Sequence, residues 1–536
     1  MKNIYFIILL SLFFPQIDYN FSFESKFAKD SNASYKNPTF YENFLDVNMY
    51  IDDLYLFAQL EYSKPPLVGE DKTILKDALN IVYLEYFNDK FDITLGNLYI
   101  LKGMGLSLHT FQDQNIDYDN SLYGFQSIYT INDQINFFTV AGQKEIMSRV
   151  GANEIVPSIS IENRLFSIGT SGTYDKWNFH YLCMMYEQEY DYDDISSIGA
   201  LPTMLGEYLS DIHGLYMANE NPSFSMNNLE HNIGFTFFSD FIETTYERSL
   251  IYYTRLLSER EDGYREYMST YFNFYDVSVI LEHKDYNTPY FYSIFSNPPL
   301  VYRESTSALI SRNIHSLNFN NEVGHQLEIN KTFNNGLNVL FNYSFAMHYE
   351  ENMENDMPSA VSLYGYMYNL LSDYEYMHKF AEFDPYRQIY FELSGWDKTE
   401  KFYYKLGYDH YQEYLIGKTI LAKTYPMQFT CKLTQGSSMT IYFEMQDKWE
   451  NDIEHYYLYF SPSYNHYGKW SLTFFYDYEQ NVDKWLGADY TLNVNDLNQI
   501  SIFYGSQKGG LVCANGSCVM QPDFDEGVKL TYRTSF

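Results

Sequence analysis

The chain of 536 residues carries 70 acidic side chains against 35 Lys and Arg, and its net charge of −35 argues against nucleic acid, whose phosphates require a basic surface. A mean hydropathy of −0.37 excludes a bundle of apolar membrane helices. The 57 Tyr and 42 Phe favour β-strands instead, because aromatic side chains pack well on a pleated surface. The negative charge favours cations as partners, or it forms an ordinary solvated surface.

The first sixteen residues predict a signal peptide. An apolar run from Ile4 to Phe14 follows Lys2 and is too short to span a bilayer as a helix. The residues around position 16 lack the small-residue pattern of a cleavage site. No Cys directly follows the apolar run, which argues against a lipoprotein anchor. We therefore expect an exported protein with a single barrel domain over residues 17–536.

The rest of the chain alternates between apolar and polar residues with period two, which predicts β-strands. The first strand begins near Ile17, with Tyr19, Phe21 and Phe23 on one side. Paired strands follow, joined by tight polar turns. The predicted turns are Asp52–Asp53, Asn88–Asp89, Asn132–Asp133, Asp175–Lys176 and Asn335–Gly336.

Longer connections separate these hairpins. The three longest are predicted at Glu187 to Glu230, Asp285 to Asn320 and His348 to Pro385. Short turns at one end and long loops at the other are typical of a transmembrane β-barrel. The sequence thus predicts an all-β, antiparallel, up-and-down barrel of about 24 strands, within a range of 20–26, in the outer membrane of a Gram-negative bacterium.

The C-terminal residues GVKLTYRTSF predict the strand that closes this barrel. Val528, Leu530, Tyr532 and Phe536 share one side, and Lys529 and Arg533 share the inward side. A terminal aromatic residue after such alternation is typical of the signal by which the barrel assembly machinery receives outer-membrane proteins. We therefore expect that machinery and outer-membrane lipid as partners.

Two further patterns predict local chemistry. Five carboxylates at close spacing, in a stretch expected to lie in a long external loop, offer hard oxygen ligands for Ca²⁺, or they are simply solvated. These are Glu187, Glu189, Asp191, Asp193 and Asp194. Cys513 and Cys518 bracket an Asn-Gly turn and predict a disulfide in an oxidising compartment, whereas Cys183 and Cys431 lie on apolar strand faces. No cofactor other than calcium is expected.

Two segments resemble a porin-like outer-membrane barrel family that is known only as a domain of unknown function. The first, Leu95–Phe125, matches at Gly96, Asn97, Tyr99, Gly103, Gly105, Leu106, Asp119, Asn120, Ser121, Leu122 and Gly124. The second, Gly509–Cys518, matches at Gly509, Gly510, Cys513, Gly516 and Cys518. The resemblance implies the same fold and membrane and leaves the substrate open. His109, Thr110, Gln112 and Asp113 stand where the family tends to carry Arg and paired acids.

The first of these segments is predicted either to fold into the lumen and narrow it or to pack as an external loop. The residues that would form the constriction are Gly96, Asn97, Gly103, Gly105, Asp119 and Asn120. The predicted strands begin almost at residue 17, which leaves no length for an N-terminal plug. Long loops must therefore fill so wide a barrel.

No catalytic motif is present, and we predict that the protein is not an enzyme. The leading hypothesis is a porin-like channel for small polar solutes that favours cations. The alternative is a structural or docking component of an outer-membrane protein complex that binds another membrane or surface protein. A weaker alternative is a barrel hydrolase built from distant Ser and His residues.

Overall fold

The structure is a computed structural model. It describes residues 17–30, 39–64, 79–113, 118–148, 159–191, 223–254, 262–288, 294–305, 307–313, 315, 322–347, 386–415, 418–451, 453–514, 517–521 and 524–536. The predicted signal peptide lies outside these residues.

One sheet of 24 strands dominates the described chain. Its strands are β1 (Ile17–Lys29), β2 (Thr39–Ile51), β3 (Leu54–Ser63), β4 (Leu79–Phe87), β5 (Phe91–Leu98), β6 (Leu122–Asn132), β7 (Ile135–Ser148), β8 (Ile159–Tyr174), β9 (Trp177–Asp191), β10 (Ser223–Phe238), β11 (Ile242–Thr254), β12 (Asp262–Phe274), β13 (Val277–Asn287), β14 (Glu322–Thr332), β15 (Leu337–Met347), β16 (Tyr386–Trp396), β17 (Phe402–Leu415), β18 (Lys418–Thr434), β19 (Ser437–Glu450), β20 (Ile453–His466), β21 (Trp470–Glu479), β22 (Asp483–Asn495), β23 (Asn498–Gln507) and β24 (Phe524–Ser535).

The sheet closes on itself. Each strand pairs antiparallel with its sequence neighbours, and β24 pairs with β1 in a register that places Ser22 opposite Ser535. The ladder extends one residue further, because Phe21 and Phe536 exchange both backbone hydrogen bonds at 2.9 Å. The predicted antiparallel barrel of about 24 strands is confirmed.

The two ends of the barrel differ, with some departures from the expected pattern. One end carries short turns, such as Asp52–Asp53, and Gly336 has the φ of 80° that its hairpin turn requires. At the other end, the connections vary in length: residues 348–385 separate β15 from β16, whereas only residues 416–417 separate β17 from β18. The strands are also longer than expected: β9 runs to Asp191 and β10 begins at Ser223. The predicted loop from Glu187 to Glu230 was therefore too long.

The two faces of the barrel wall differ in polarity. Along β8, Asn163, Leu165 and Ser167 point inward and are buried, whereas Phe166 and Ile168 point outward and are exposed. An exposed apolar exterior on a closed barrel suits lipid, because closure lets the strands pair their backbone amides within the wall. In the described part of the chain, no helix is long and apolar enough to cross a membrane. The protein is an outer-membrane, multi-pass β-barrel.

A barrel of 24 strands is wide. With strands about 4.8 Å apart and tilted by about 40°, its backbone diameter is about 48 Å. Its interior is lined mainly by polar side chains, and many of them are buried. Something inside the lumen must therefore cover them.

Candidate functional site: two segments inside the lumen

Two connections enter the barrel lumen. Segment A (99–121) links β5 to β6 and is described except for 114–117. Segment B (294–315) lies between β13 and β14 and is described except for 306 and 314. Both contact inward-facing side chains of the wall, as set out below. Segment A thus lies against the inner wall, and its narrowing of the lumen stays a prediction.

Segment A leaves the wall at a glycine kink in β5. Gly96 has a φ of 109°, and a Cβ there would lie 2.1 Å from the Val82 carbonyl oxygen, so only glycine fits. The side chain of the next residue secures both ends of the segment. Asn97 accepts a hydrogen bond at Oδ1 from Val82 N at 2.9 Å and donates from Nδ2 to Ser121 Oγ at 3.0 Å.

Within the lumen, segment A forms a small hairpin. Leu101–Lys102 pairs with Leu108–His109. At its tip Gly103 and Gly105 have φ of 60° and 85°. A Cβ on Gly103 would lie 2.3 Å from the Glu247 carboxylate, so a larger residue would displace that side chain, and the positive φ also favours glycine.

The hairpin covers an apolar area of the inner wall. Inward-facing Val140, Leu165, Leu182 and Met184 of β7–β9 are at most 4% exposed. Segment A passes over these strands, since Lys102 Nζ lies 4.2 Å from the ring centroid of Phe138. Apolar side chains facing an aqueous lumen are unfavourable when exposed, so their burial stabilises the inward position of the hairpin.

The hairpin tip is held by buried charges. The Glu247 carboxylate accepts a hydrogen bond from Met104 N, and Arg265 Nη1 donates to the Leu106 carbonyl oxygen. Asn232 Nδ2 donates to Glu247 Oε1 at 2.8 Å, and Glu230 lies 3.6 Å from the Arg265 guanidinium. Charge-assisted bonds in a dry setting are strong, and losing one partner leaves an uncompensated charge.

Segments A and B are joined to each other. Asn120 in segment A is fully buried, and its Nδ2 donates to the carbonyl oxygens of His109 at 3.1 Å and Ile294 at 2.7 Å. Its Oδ1 accepts from Phe111 N at 2.6 Å. His109 N also donates to the Phe295 carbonyl oxygen at 2.6 Å. The two segments therefore form one unit, which we call the lumenal plug.

Segment B begins against β13. Lys284 Nζ donates to the Leu300 carbonyl oxygen at 2.7 Å, and the Tyr286 hydroxyl donates to the Pro299 carbonyl oxygen at 2.8 Å. Lys284 is fully buried and also pairs with Glu322 at 2.5 Å. Val301 then packs against Leu106 of segment A and Tyr267 of the wall.

The middle of segment B is clamped on the opposite wall. The Glu444 carboxylate of β19 accepts hydrogen bonds from Ser307 Oγ at 2.8 Å, Ala308 N at 2.9 Å and Leu309 N at 2.7 Å. Arg312 then forms a two-pronged ion pair with Asp477 of β21. The plug is thus anchored on both sides of the lumen.

The end of segment B lies in a buried ion cluster. His315 Nδ1 is 2.9 Å from Glu413 Oε1, and Nε2 is 3.1 Å from Glu322 Oε1. Carboxylates only accept hydrogen bonds, so both ring nitrogens donate and the imidazole is charged. Burial lowers the pKa of His315, but the charges of Glu322 and Glu413 outweigh burial and raise the pKa overall.

All six predicted constriction residues lie in segment A or at its base. Gly96 and Asn97 form the kink, Gly103 and Gly105 the tip, and Asn120 the joint with segment B. Asp119 Oδ1 accepts from Ser121 N at 2.7 Å, and its carboxylate lies 3.7 Å from Lys144 Nζ.

The predicted calcium ligands are placed differently from expected. Glu187, Glu189 and Asp191 belong to β9 rather than to a loop, because the strand extends beyond its predicted end. Glu187 and Glu189 lie 3.4 Å from the guanidinium of Arg164, which satisfies part of their charge. Asp193, Asp194 and the Asp191 side chain lie outside the described residues. Among the residues described, no three His, Cys, Asp or Glu converge as a metal site. Calcium in this stretch stays a prediction.

The predicted disulfide lies beside the plug. Cys513 and Cys518 are directly opposite each other in the hairpin formed by Gly510–Ala514 and Ser517–Gln521. The first strand of that hairpin lies within 8 Å, Cα to Cα, of the turn Ile310–Arg312 in segment B. Cys183 and Cys431 are free thiols. The disulfide itself stays a prediction.

The sequence analysis located the long connection that contains segment B and expected long loops to fill the barrel, but it did not identify the residues that anchor this segment. Glu444 and Asp477 stand in strand-like runs, where an inward-facing acid has the same sequence pattern as any lumen-lining residue. A carboxylate whose strand neighbours are otherwise apolar, as in IYFEM, is the one signal that this sequence offered.

The sequence matches the model of a family of unknown function (DUF6029) over residues 1–168 and 264–536. No curated protein matches it. Similar solved structures include the translocation pore of the P pilus usher PapC, at 9% identity and a TM-score of 0.43, with 97% of this chain and 99% of that chain covered. The siderophore receptor PirA of Pseudomonas aeruginosa is similar at 7% identity and a TM-score of 0.45, with 97% of this chain and 80% of that chain covered. A mutant porin of Rhodopseudomonas blastica is similar at 8% identity and a TM-score of 0.26, with 60% of this chain and 93% of that chain covered. At such identities none of them assigns an activity to this chain.

Proposed function

Since this chain belongs to the family of unknown function DUF6029 and forms an outer-membrane β-barrel, we propose that it is a channel for small polar solutes that favours cations. Membership of this family confirms the resemblance at Leu95–Phe125 and Gly509–Cys518. The observation that carries the proposal is the lumenal plug, which is built from the chain itself and is anchored from β7 to β21. An internal plug narrows a wide barrel to a selective passage while preserving its wall.

The passage is proposed to follow β1–β5, where the described plug contacts are confined to the base of segment A on β4 and β5. Every acidic residue of these five strands points inward, as the alternation and the cross-strand register require. They are Asp18, Glu24, Glu42, Asp46, Glu61, Glu85 and Asp92. Lys26 is the one Lys or Arg of β1–β5 that shares their side. This excess of carboxylates supports a preference for cations.

Single-channel recording in planar bilayers tests the proposal. The full chain refolded without residues 1–16 should give stable steps, and in a KCl gradient its reversal potential should indicate cation selectivity. Neutralising D46N, E61Q, E85Q and D92N together should move that potential towards zero. The matched control E162Q/E187Q/E189Q removes outward-facing acids and should leave it unchanged. Silence from protein with a heat-modifiable gel shift, which shows that it is folded, would contradict the channel.

A docking role is the second candidate. It is supported by the long connections 192–222 and 348–385 at one end of the barrel, since long external loops serve as binding surfaces. A folded but silent barrel that co-purifies with another outer-membrane protein would favour this role.

The hydrolase alternative has one Ser–His contact to consider. Ser437 Oγ lies 3.3 Å from His466 Nδ1, close to the short-turn end. The ring of His466 also contacts Tyr464 and Trp470, and within the described chain no carboxylate bonds to it. A serine nucleophile needs a base that a third group orients, so this contact does not favour catalysis. Absence of labelling by a serine-reactive probe is the expected result.

A further inference from the structure

Four inward-facing side chains form a row across the first four strands, next to the short-turn end. Asp18 of β1 is directly opposite Tyr50 of β2, Tyr50 is opposite Tyr55 of β3, and Tyr55 is opposite Glu85 of β4. Directly paired residues on neighbouring strands have Cβ atoms about 5 Å apart, so all four belong to one surface. Two tyrosine rings thus lie between two carboxylates.

The rings of this row are ordered by their neighbours and accessible to the lumen. Tyr50 and Tyr55 stack with centroids 4.6 Å apart and an interplanar angle of 22°. The Tyr55 hydroxyl donates to Asn48 Oδ1 at 2.8 Å, which fixes its ring. Tyr50 is 47% exposed although it is a large aromatic residue on the inner wall. A stacked, exposed pair of this kind presents a π surface to a solute.

More rings continue this surface towards the plug. Tyr83 lies 5.8 Å from Tyr55 and 5.1 Å from Phe57, centroid to centroid. Tyr99, the first residue of segment A, lies 6.4 Å from Tyr83. The result is an aromatic track from the mouth of the barrel to the base of the plug.

Three cations near this wall contact other groups. Lys26 Nζ is 2.6 Å from Glu42, and Arg533 Nε is 2.6 Å from Glu24. Lys102 lies over the ring of Phe138. Asp18 and Glu85 are opposite Tyr50, Tyr55 and Thr94 in the strand register rather than opposite a Lys or Arg, so their charges act on the two rings.

We propose that the row of Asp18, Tyr50, Tyr55 and Glu85 binds an organic cation of the quaternary ammonium or alkylamine class at the mouth of the lumen. This inference rests on the proposed channel function and names its substrate class. The faces of aromatic rings attract such cations, and quaternary ammonium groups are recognised by clustered aromatic rings. The flanking carboxylates supply the remaining charge complement.

The spacing of the row distinguishes an organic cation from a metal ion. Asp18 and Glu85 are separated by three strand spacings, about 14 Å, whereas Ca²⁺ requires oxygen ligands at about 2.3–2.6 Å. The two carboxylates therefore cannot share one metal ion. An ammonium group over the rings does not need to be coordinated by a carboxylate oxygen, and the charges of Asp18 and Glu85 both attract it.

Calorimetric titration of the refolded barrel in detergent with choline tests the site without requiring conductance. Choline should bind, and its neutral isostere 3,3-dimethylbutan-1-ol should bind at least about tenfold more weakly, because only the cation interacts with the ring quadrupole. The Y50L/Y55L variant should lower choline affinity about tenfold, and E85Q should lower it about threefold at low salt. Y442L is the matched control, since Tyr442 lies on the inner wall with Lys405 and Arg303 near it.

The outcomes separate the site from the channel. Choline binding that is lost in Y50L/Y55L and kept in Y442L supports the site, even if the barrel gives no conductance and the channel proposal fails. Equal affinity for choline and the neutral isostere, or no heat of binding from protein with a heat-modifiable gel shift, overturns the proposal. Where the barrel conducts, choline added on the short-turn side should also block the potassium current.

Discussion

Asn120 of segment A donates a hydrogen bond to the carbonyl oxygen of Ile294 in segment B, across 174 positions of the chain. Together with its bonds to His109 and Phe111, it makes one amide the joint of the plug. The N120A variant leaves these backbone groups unpaired, at a cost of about 1–3 kcal/mol for each buried group. We expect larger and noisier channel currents and faster tryptic cleavage after Lys102.

The control for this variant is N330A, which removes a lumen-facing Asn of β14 that lies away from both segments, near the short-turn end. It should leave currents and cleavage unchanged. Equal behaviour of N120A and the unmodified protein would mean that the two segments hold their positions independently.

Glu444 should act as the clamp of segment B. Three donors converge on its carboxylate, and replacing it with Gln removes the charge and turns one acceptor into a donor that faces other donors. We expect E444Q to loosen residues 307–309 by about 2–4 kcal/mol, since charge-assisted bonds are strong and buried groups are left unpaired. Hydrogen exchange of Ala308 and Leu309 amides measures the effect.

E266Q is a matched control on the outer face, where Glu266 pairs with Arg248 at 3.0 Å. That pair is partly exposed, so its loss should cost less than about 1 kcal/mol and should leave the exchange of segment B unchanged. Unaltered amide exchange in E444Q would refute the clamp.

The His315 cluster should make the plug sensitive to alkaline pH. The pKa of His315 in the folded protein is raised above its unfolded value of about 6.5. The stabilisation from its charge is therefore fully present below about pH 6.5 and is lost as the pH rises through the raised value. Glu322, Glu413 and Lys284 are the charged groups that face the ring.

Proteolysis at Arg312 and channel noise, followed from pH 6 to pH 10, measure this dependence. Both should rise with pH in the unmodified protein. In H315Q they should be high at pH 6 already and nearly independent of pH. A rise towards acid in the unmodified protein would contradict the charged imidazole.

The barrel could be predicted from the sequence because its signals are local. Period-two alternation and polar turns such as Asn335–Gly336 depend on neighbouring residues only. The plug could not be predicted in full, since Ser307 and Glu444 are 137 positions apart and nothing near either residue specifies the other. Segment A could be predicted from its glycines and Asn120, because its backbone conformation requires these particular residue types and they are visible in the sequence. The end of β9 was missed because acidic residues there resemble a loop, although Arg164 compensates them within the sheet.

The Cys513–Cys518 register supports a cross-strand disulfide beside segment B. Closing so short a loop stabilises the hairpin by about 2 kcal/mol in the chain-entropy model. Mass spectrometry of peptides from the unreduced protein should find these two cysteines linked and Cys183 and Cys431 free. Finding both terminal cysteines alkylated without reduction would refute the bridge. The C183S variant, which removes a free thiol, should leave the peptide map of the linked pair unchanged.

Phe536 should serve assembly more than stability. Its ring stacks on Phe21 with centroids 5.7 Å apart, and the two backbones exchange hydrogen bonds that survive side-chain truncation. F21A and F536A remove the same ring pair, but only F536A alters the terminal residue. If the terminal aromatic residue is the signal for the assembly machinery, F536A lowers the amount of heat-modifiable barrel in membranes several-fold and F21A does not. Both variants should refold in detergent, because F536A loses one aromatic contact of about 0.5–1.5 kcal/mol and F21A loses only one more, that of Phe21 with Tyr19 at 5.6 Å. Equal loss of membrane-inserted barrel in the two variants would assign Phe536 to closure of the β1–β24 seam instead.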